Sequence, residues 1–503
     1  MDFPAKLFTL TAGGLLAIAC AIGVANANEP PPPTPVAACG IEMGLEYASV
    51  AQLTAAMERG DLTSERLVAH LLARIERLNE QGPQLRAVIE TNPDALELAR
   101  TLDAERAEGR LRGPLHGIPV LLKDSIETAD QLKTAAGSLA LADASATRDA
   151  PLVTHLRASG ALILGKANMG EWANFRGTNI PDGWSGRGGQ TLSPYGAAYE
   201  VCGSSSGSAV AVAAGFAPLA VGTETSGSII CPAGKNGVVG LKPTQGLIGN
   251  NGIVPLSVRQ DTPGPMARSV ADSARLLAAL QGDGQLSEQY LQAIDAASLS
   301  GKSIGFPVEY AEGPGQVGDN PMFLRALVAM REAGANLQPI TARVPAGYEE
   351  LYLLLQDFKT DVPRYLQTRG GLGMRTLDEL IQFNRATPGN PQYNQAWIEM
   401  ANNWEMPAEH YAATLAYVVD TNTAALNKPF EDHRLDALVF PTEQASWAMA
   451  ASAGYPSMNV SSGHGADGLP SGLTFIGKPS SETGLMAIAA AYEALVPAAC
   501  PTL

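Results

Sequence analysis

Two stretches of small residues carry the serines that could act as nucleophiles. The first, CGSSSGSAVAVAAG (202–215), places three serines between glycines, ahead of a helix-like run. The second, GTETSGSIICPAG (222–234), places Ser228 after a Thr-Ser-Gly sequence. Backbone N–H groups of such a turn can converge and bind an oxyanion, although an ordinary strand-to-helix turn has the same composition. A serine hydroxyl is a weak nucleophile by itself, so a base must lie close to it in the fold.

The GSSSG segment also fits the nucleophile-elbow pattern G-x-S-x-G, with Ser205 at its centre. That arrangement needs an apolar strand before the serine, and an acid and then a histidine after it. The preceding SPYGAAYEVCG is no apolar strand, and none of the downstream histidines lies in a recognisable loop after a strand. The sequence therefore disfavours a Ser-His-Asp triad built on Ser205.

Lysine is the other candidate base. Lys123 ends the apolar run GIPVLLK, and Lys166 ends ALILGK. Desolvation disfavours the ammonium form, so a lysine buried at the end of a strand can be neutral near pH 7. The alternative for each is a surface lysine whose aliphatic stem covers apolar surface. Sequence context leaves both residues open as the base.

Several function classes are excluded by composition and spacing. The chain has 503 residues, a formal net charge of −16 and no Lys/Arg run, which excludes a general nucleic-acid binder. GSSSGSA lacks the lysine of a Walker loop, and GWSGRGGQ does not fit a dinucleotide fingerprint. No Cys/His spacing predicts a metal site.

The elements around these residues alternate between apolar strands and helices. This alternation predicts an α/β layered fold with a mainly parallel or mixed sheet. We expect a single large domain with a central mixed β-sheet and helices on both faces. Ligands of such sheets gather at the carboxyl ends of strands, where Lys123 and Thr223-Glu224 are expected. The predicted strands are the apolar runs RAVIET, GIPVLLKDS, ALILG, APLAVGTE, GVVGLKPT, DALVFPTE and LTFIGKP.

The residue pattern changes over 321–437, where the segments are long, amphipathic and rich in aromatic residues. This pattern predicts a helical insertion or lid on the same domain. The aromatic side chains can equally be core residues, so the pattern assigns none of them to a substrate pocket.

The N-terminus is typical of an exported protein. Residues 1–27 contain one lysine, an apolar run and a terminal Ala-Asn-Ala, which predict a cleaved signal peptide. The alternative is an uncleaved membrane anchor, because the run approaches spanning length. Residues 28–38 are a proline-rich linker, and residues 39–503 form the domain. We expect a periplasmic or secreted protein with no stable membrane association after cleavage.

The five cysteines fall into distinct groups. Cys20 lies in the predicted signal. Cys39 and Cys500 lie at the ends of the mature chain, where termini often approach each other, so a disulfide or two unpaired thiols are the alternatives. Cys202 and Cys231 are expected to be buried packing groups.

Three blocks together resemble the amidase signature family: GPLHGIPVLLKDSIET, CGSSSGSAVAVAAG and GTETSGSIICPAGKNGVVGLKPT. The resemblance is close over about 111–280, returns in DGLPSGLTFIGKP and AIAAAYEAL, and is weak over 300–435.

The resemblance implies a Ser–Ser–Lys triad. Lys123 corresponds to the family's lysine, Ser204 to its bridging serine after a cis peptide bond from Gly203, and Ser228 to its nucleophile. The N–H groups of Thr225, Ser226, Gly227 and Ser228 correspond to its oxyanion hole. No metal or organic cofactor is implied.

This sequence also departs from the family pattern. Ser226, Cys202 and Ser206 each stand where the family has glycine. If position 226 requires a positive φ, a serine is strained there.

Within the family, the sequence is most similar to bacterial peptide amidases. The resemblance therefore implies hydrolysis of carboxamide bonds through an acyl-enzyme, with release of ammonia from C-terminal peptide amides. The expected partner is a peptide or small-molecule amide. Two alternatives are a glutaminase subunit of an amidotransferase, and a catalytically inactive binding protein of the same fold.

Overall fold

The computed structural model describes residues 44–308, 320–341, 348–387, 392–443, 446–496, 500–501 and 503. The helices are α1 Val50–Glu58, α2 Ser64–Ile75, α3 Ala95–Ala107, α4 Pro151–Ala158, α5 Ser206–Ala213, α6 Ile230–Lys235, α7 Val270–Gln281, α8 Gly284–Asp295, α9 Pro321–Glu332, α10 Glu349–Thr368, α11 Leu377–Ala386, α12 Ala396–Asn403, α13 Ala408–His433, α14 Ser446–Ser452 and α15 Glu482–Glu493. The strands are β1 Val88–Thr91, β2 Pro119–Lys123, β3 Leu162–Ala167, β4 Trp184–Ser185, β5 Gly189–Gln190, β6 Leu219–Glu224, β7 Val239–Lys242, β8 Thr262–Ala267, β9 Ser303–Pro307, β10 Asn336–Ile340, β11 Ala437–Pro441, β12 Ser457–His464 and β13 Pro470–Ile476.

Within these ranges, eleven strands form one sheet in the order β1-β3-β2-β6-β8-β7-β12-β13-β11-β9-β10, and β4 pairs with β5 separately. The sheet is mixed: β2 runs parallel to β3 and β6, whereas β8 is antiparallel to β6 and β7. Helices flank it in a single α/β domain. The predicted fold class is therefore confirmed.

Strands β2 and β6 place the candidate site residues at their carboxyl ends. Every residue of both strands is buried, which is why each reads as an unbroken apolar run up to its last residues. Their parallel register pairs Leu122 with Val221. Lys123 and Glu224 are the last residues of these two strands, so they lie at the same end of the parallel pair.

Strand β8 was not predicted, because Pro263 and Pro265 make its sequence look like a loop. The structure places it between β6 and β7. The two prolines are alternate residues, so their missing N–H groups fall on one side of the strand. Both prolines lie opposite residues of β6, whereas the described ladder to β7 reaches only Met266 and Ala267.

The helical insertion is shorter than the predicted 321–437. Within that span, β10 pairs with β9 and belongs to the edge of the main sheet. Helices α10 to α13 form the insertion itself, and residues of α10, α11 and α12 contribute to a second hydrophobic core. Phe358 in that core contacts Trp172 and Phe175, with ring centroids 6.0 and 5.0 Å away. Phe358 of the insertion is thus a packing residue.

The predicted signal peptide (1–27), the linker (28–38) and Cys39 lie outside the described residues. The pairing of Cys39 with Cys500 therefore stays one of the two alternatives that the sequence offers. No helix in the described ranges has the length and apolar character needed to cross a bilayer.

Candidate active site

Lys123 is fully buried at the end of β2. Its Nζ donates to Ser204 Oγ at 2.7 Å and to the Thr223 carbonyl oxygen at 3.0 Å. Burial lowers the pKa of Lys123 to about 7, and the negative charges of Asp261 and Glu224 oppose that shift. A substantial fraction of Lys123 is consequently neutral near pH 7 and can accept a proton from Ser204.

Ser204 lies in the relay loop, residues 202–205, immediately before α5. The peptide bond between Gly203 and Ser204 is cis, as the family resemblance implied. The Gly170 N–H donates to the Ser204 carbonyl at 3.0 Å, and the Ser205 N–H donates to the Ser228 carbonyl at 3.1 Å. The relay loop is therefore joined directly to the backbone of the predicted nucleophile.

Ser205 and Lys166 are engaged elsewhere. The buried Ser205 hydroxyl donates to the Thr223 carbonyl at 3.0 Å and accepts from the Thr223 N–H at 3.2 Å, which braces the loop against β6. Lys166 donates to the Ile126 carbonyl and to the Thr134 hydroxyl. The structure thus brings Lys123, and not Lys166, to the serine-rich loop.

Ser228 ends the nucleophile turn, residues 225–228, between β6 and α6. The positive φ of this turn falls on Gly227, at 80°, and not on Ser226. The serine that replaces a family glycine at 226 is therefore not strained by its φ. Gly227 is required for a second reason, because a Cβ there would lie 2.4 Å from Nε1 of Trp447.

The buried Glu224 carboxylate organises the backbone around this turn. Its Oε2 accepts from the N–H groups of Ile229 at 2.7 Å and Ile230 at 3.0 Å. Burial raises the pKa of Glu224, while these N–H groups and that of Gly227 oppose the shift. Among the described residues, the Ser226 and Ser228 N–H groups donate to no carbonyl and no side chain. Those two can bind an oxyanion without losing an existing bond.

Cys202 and Cys231 form a disulfide, with Cα atoms 5.9 Å apart. The expectation that they are packing groups was wrong. Cys202 has a φ of 52°, so the left-handed conformation that favours glycine lies here instead of at Ser226. The bond joins the relay loop to α6, directly after the nucleophile turn. The spacing of the two cysteines in the sequence does not predict this disulfide, because β6 lies between them and brings them together only in the fold.

Sequence reasoning also missed Gln260 and Asp261. The Thr225 hydroxyl donates to Asp261 Oδ1 at 2.5 Å, and Gln260 Nε2 donates to the Thr225 carbonyl at 2.8 Å. Both residues are buried. They precede β8, whose pairing with β6 sets Thr262 opposite Glu224. Their proximity to the site follows from that pairing, which the prolines of β8 concealed.

A cavity of about 320 Å³ lies beside the relay loop and is lined in part by Asn174, Asp182, Trp184 and Trp397. The Asn174 amide lies against Gly203, where an added Cβ would be 2.8 Å from its Nδ2. Burial and the neighbouring Glu200 raise the pKa of Asp182 to about 6. Across the described ranges, no three His, Cys, Asp or Glu side chains are grouped to hold a metal ion.

A buried lysine bonded to one serine, with a second serine on the adjoining turn of a mixed α/β sheet, supplies the base and the hydroxyl groups that nucleophilic acyl transfer needs. The family model named Amidase matches residues 66–486, and the chain belongs to this amidase signature family.

The chain is similar to named members of this family. A probable amidase of Arabidopsis thaliana is 37% identical over 475 residues, which cover 89% of this chain and 90% of that protein. The native peptide amidase of Stenotrophomonas maltophilia has 42% sequence identity and a TM-score of 0.80, with 90% of this chain and 98% of that chain covered. A glutamyl-tRNA(Gln) amidotransferase subunit of Symbiobacterium thermophilum is 33% identical over 483 residues, covering 88% and 96% respectively.

Proposed function

We propose that this amidase hydrolyses C-terminal peptide amides through a Ser–Ser–Lys relay. The observation that carries the proposal is the 2.7 Å contact between Lys123 Nζ and Ser204 Oγ, in a loop bonded to the backbone of Ser228. The lowered pKa of Lys123, which burial causes, supports its role as the base.

In the first half-reaction, Ser228 Oγ attacks the amide carbonyl carbon. Its proton passes to Ser204, whose own proton passes to Lys123. The tetrahedral oxyanion accepts hydrogen bonds from the N–H groups of the nucleophile turn. The relay then returns a proton to the nitrogen, the C–N bond breaks, and ammonia leaves. Without that returned proton the leaving group would be an amide anion, which is far too basic to depart.

In the second half-reaction, water attacks the acyl ester on Ser228. Lys123, again neutral after ammonia departs, takes the proton of this water through Ser204. Collapse of the second tetrahedral intermediate releases the carboxylic acid and restores the Ser228 hydroxyl.

Similarity to the peptide amidase supports the substrate class, at 42% sequence identity over most of both chains. The test is an ammonia-release assay of purified protein on a peptide amide and on a simple aliphatic amide. We expect ammonia from the peptide amide with the highest kcat/KM, and none from S228A. Equal ammonia release by S228A would overturn the assignment of the nucleophile.

Similarity to an amidotransferase subunit favours one alternative, a glutaminase. Glutamine in the same assay separates the two functions, since a glutaminase releases ammonia from glutamine and a peptide amidase does not. A fluorophosphonate probe tests for an inactive binding protein. Stoichiometric labelling that is lost in S228A supports an enzyme, and the absence of labelling supports a binding protein.

We further propose that the protein is exported and processed after Ala27. The apolar N-terminal run ending in Ala-Asn-Ala supports this proposal. N-terminal sequencing of the protein recovered from cell fractions tests it. A mature chain that begins at Asn28 outside the cytoplasm is expected, and an intact Met1 on cytoplasmic protein would contradict it.

A further inference from the structure

Asp261 is a buried carboxylate that the relay described above does not use. Its Oδ1 accepts from the Thr225 hydroxyl at 2.5 Å. Its Oδ2 accepts from the N–H groups of Leu256 at 2.9 Å and Ser257 at 3.1 Å. Both oxygens are thus held by donors, and Thr225 is the first residue of the nucleophile turn.

Asp261 also acts electrostatically on Lys123. Lys123 Nζ donates to the Thr223 carbonyl, and Asp261 binds Thr225, two residues further along the same chain. Each charge favours the ionised form of the other. Glu224 also acts on Lys123, and its carboxylate accepts from N–H groups of the residues after the turn.

We propose that Asp261 is a positioning residue of the proton relay: it fixes Thr225 at the start of the nucleophile turn, and its negative charge stabilises the ammonium that Lys123 becomes as the reaction proceeds. The proposal rests on the Ser–Ser–Lys function. Its physical basis is that of the aspartate in a Ser-His-Asp triad, which orients the base and stabilises its protonated form without taking the proton.

The charge states agree with this role. Burial raises the pKa of Asp261 to about 6, and the Thr225 hydroxyl bond opposes that rise. Above that pH Asp261 is anionic, which is the range in which Lys123 loses its proton. The negative charge is therefore present when a proton reaches Lys123.

The test compares pH profiles of kcat/KM for the wild type, D261N and D357N. Removal of the Asp261 charge makes the Lys123 ammonium less stable, so the limb assigned to Lys123 should move down by about one pH unit. The plateau should fall by about tenfold, because the ammonium formed in the transition state loses its counter-charge. D357N is the matched control, and its limb should stay at the pH of the wild-type limb. Asp357 is also a buried carboxylate bonded to Ser257, but Lys123 is not among the groups it acts on.

The outcomes separate this inference from the function on which it depends. A wild type with no limb assignable to Lys123, or an active K123M variant, would overturn the relay itself. A wild type with the limb and a D261N variant with lower activity but an unmoved limb would overturn only the role of Asp261. D261S carries the same expectation as D261N if the amide does not fit. If neither uncharged variant folds, Asp261 serves the fold and the inference is wrong.

Discussion

At the scale of single residues, the site depends on one lysine whose charge is controlled by burial. Lys123 has no exposed surface, and desolvation brings its pKa to about 7. In the proposed relay the neutral amine is the base, so kcat/KM should rise with pH and level off above the pKa of Lys123. Below that pKa it should fall about tenfold per pH unit as the ammonium accumulates.

A pH profile between about 5 and 9 on a peptide amide checks this limb. K123M, which keeps the length of the side chain and removes the amine, should lose about three orders of magnitude in kcat. A profile that is flat across neutral pH would show that another group acts as the base.

Two adjacent serines make a matched pair of variants. S204A removes the contact with Lys123 and should lower kcat by at least about a hundredfold. S205A removes hydrogen bonds to the N–H and carbonyl of Thr223 and should cost about 1–2 kcal/mol of unfolding free energy, with much less effect on kcat. Steady-state kinetics and urea unfolding of both variants distinguish the two roles. The reverse order of kcat losses would revive Ser205 as the nucleophile.

At the scale of elements, the sequence predicts a strand or a contact only where neighbouring residues carry the pattern for it. Strands β2 and β6 are buried on both faces and read as apolar runs, so Lys123 could be placed at a strand end from the sequence. The prolines of β8 hid the strand that brings Asp261 to Thr225. The disulfide was hidden too, because Cys202 and Cys231 are 29 residues apart and meet only in the folded sheet.

That disulfide links the relay loop to the helix after the nucleophile turn. By the chain-entropy argument, a disulfide that closes a loop of this length contributes about 3.6 kcal/mol of stability, because the bond restricts the unfolded chain. C202A/C231A should therefore unfold at a lower temperature and a lower denaturant concentration than the oxidised wild type. Calorimetry and urea titration measure both quantities.

The reduced wild type is the control for the disulfide variant. Reduction keeps both side chains but removes the bond, so it should destabilise the wild type more than it destabilises C202A/C231A, which controls for any other disulfide. A reduced wild type as stable as the oxidised protein would show that the bond adds nothing and that packing of the two cysteines accounts for any loss.

At the scale of the whole molecule, the helical insertion is tied to the nucleophile turn through one loop. Helix α10 carries Asp357, which accepts from the Ser257 hydroxyl at 2.6 Å, and Asp361, which accepts from the Val258 N–H at 2.8 Å. The 256–261 loop that they hold binds Thr225 through Asp261 and Gln260. The insertion therefore supports the site as well as packing beside it.

Glu350 provides the most direct route by which the insertion can affect the chemistry. Its Oε1 accepts from Gln260 Nε2 at 2.7 Å and from the Ser452 hydroxyl at 3.0 Å, while the same Gln260 nitrogen donates to Thr225. E350A removes the Glu350 bond to Gln260 without altering the proposed triad or the charged groups that act on Lys123. We therefore expect kcat to fall by several-fold, with an unmoved pH limb and a small change in melting temperature.

E349A, which alters the neighbouring glutamate on the same helix, is the matched control and should behave as the wild type in the same assay. Because a hydrogen bond to a carboxylate contributes about 1.5–3 kcal/mol, its full loss at the turn could reach a hundredfold in rate. A smaller, several-fold loss is expected because Asp261 still holds Thr225 from the other side. If E350A keeps the full kcat, the insertion only packs against the site. If its pH limb moves instead, Glu350 acts on Lys123 through charge and not through Gln260.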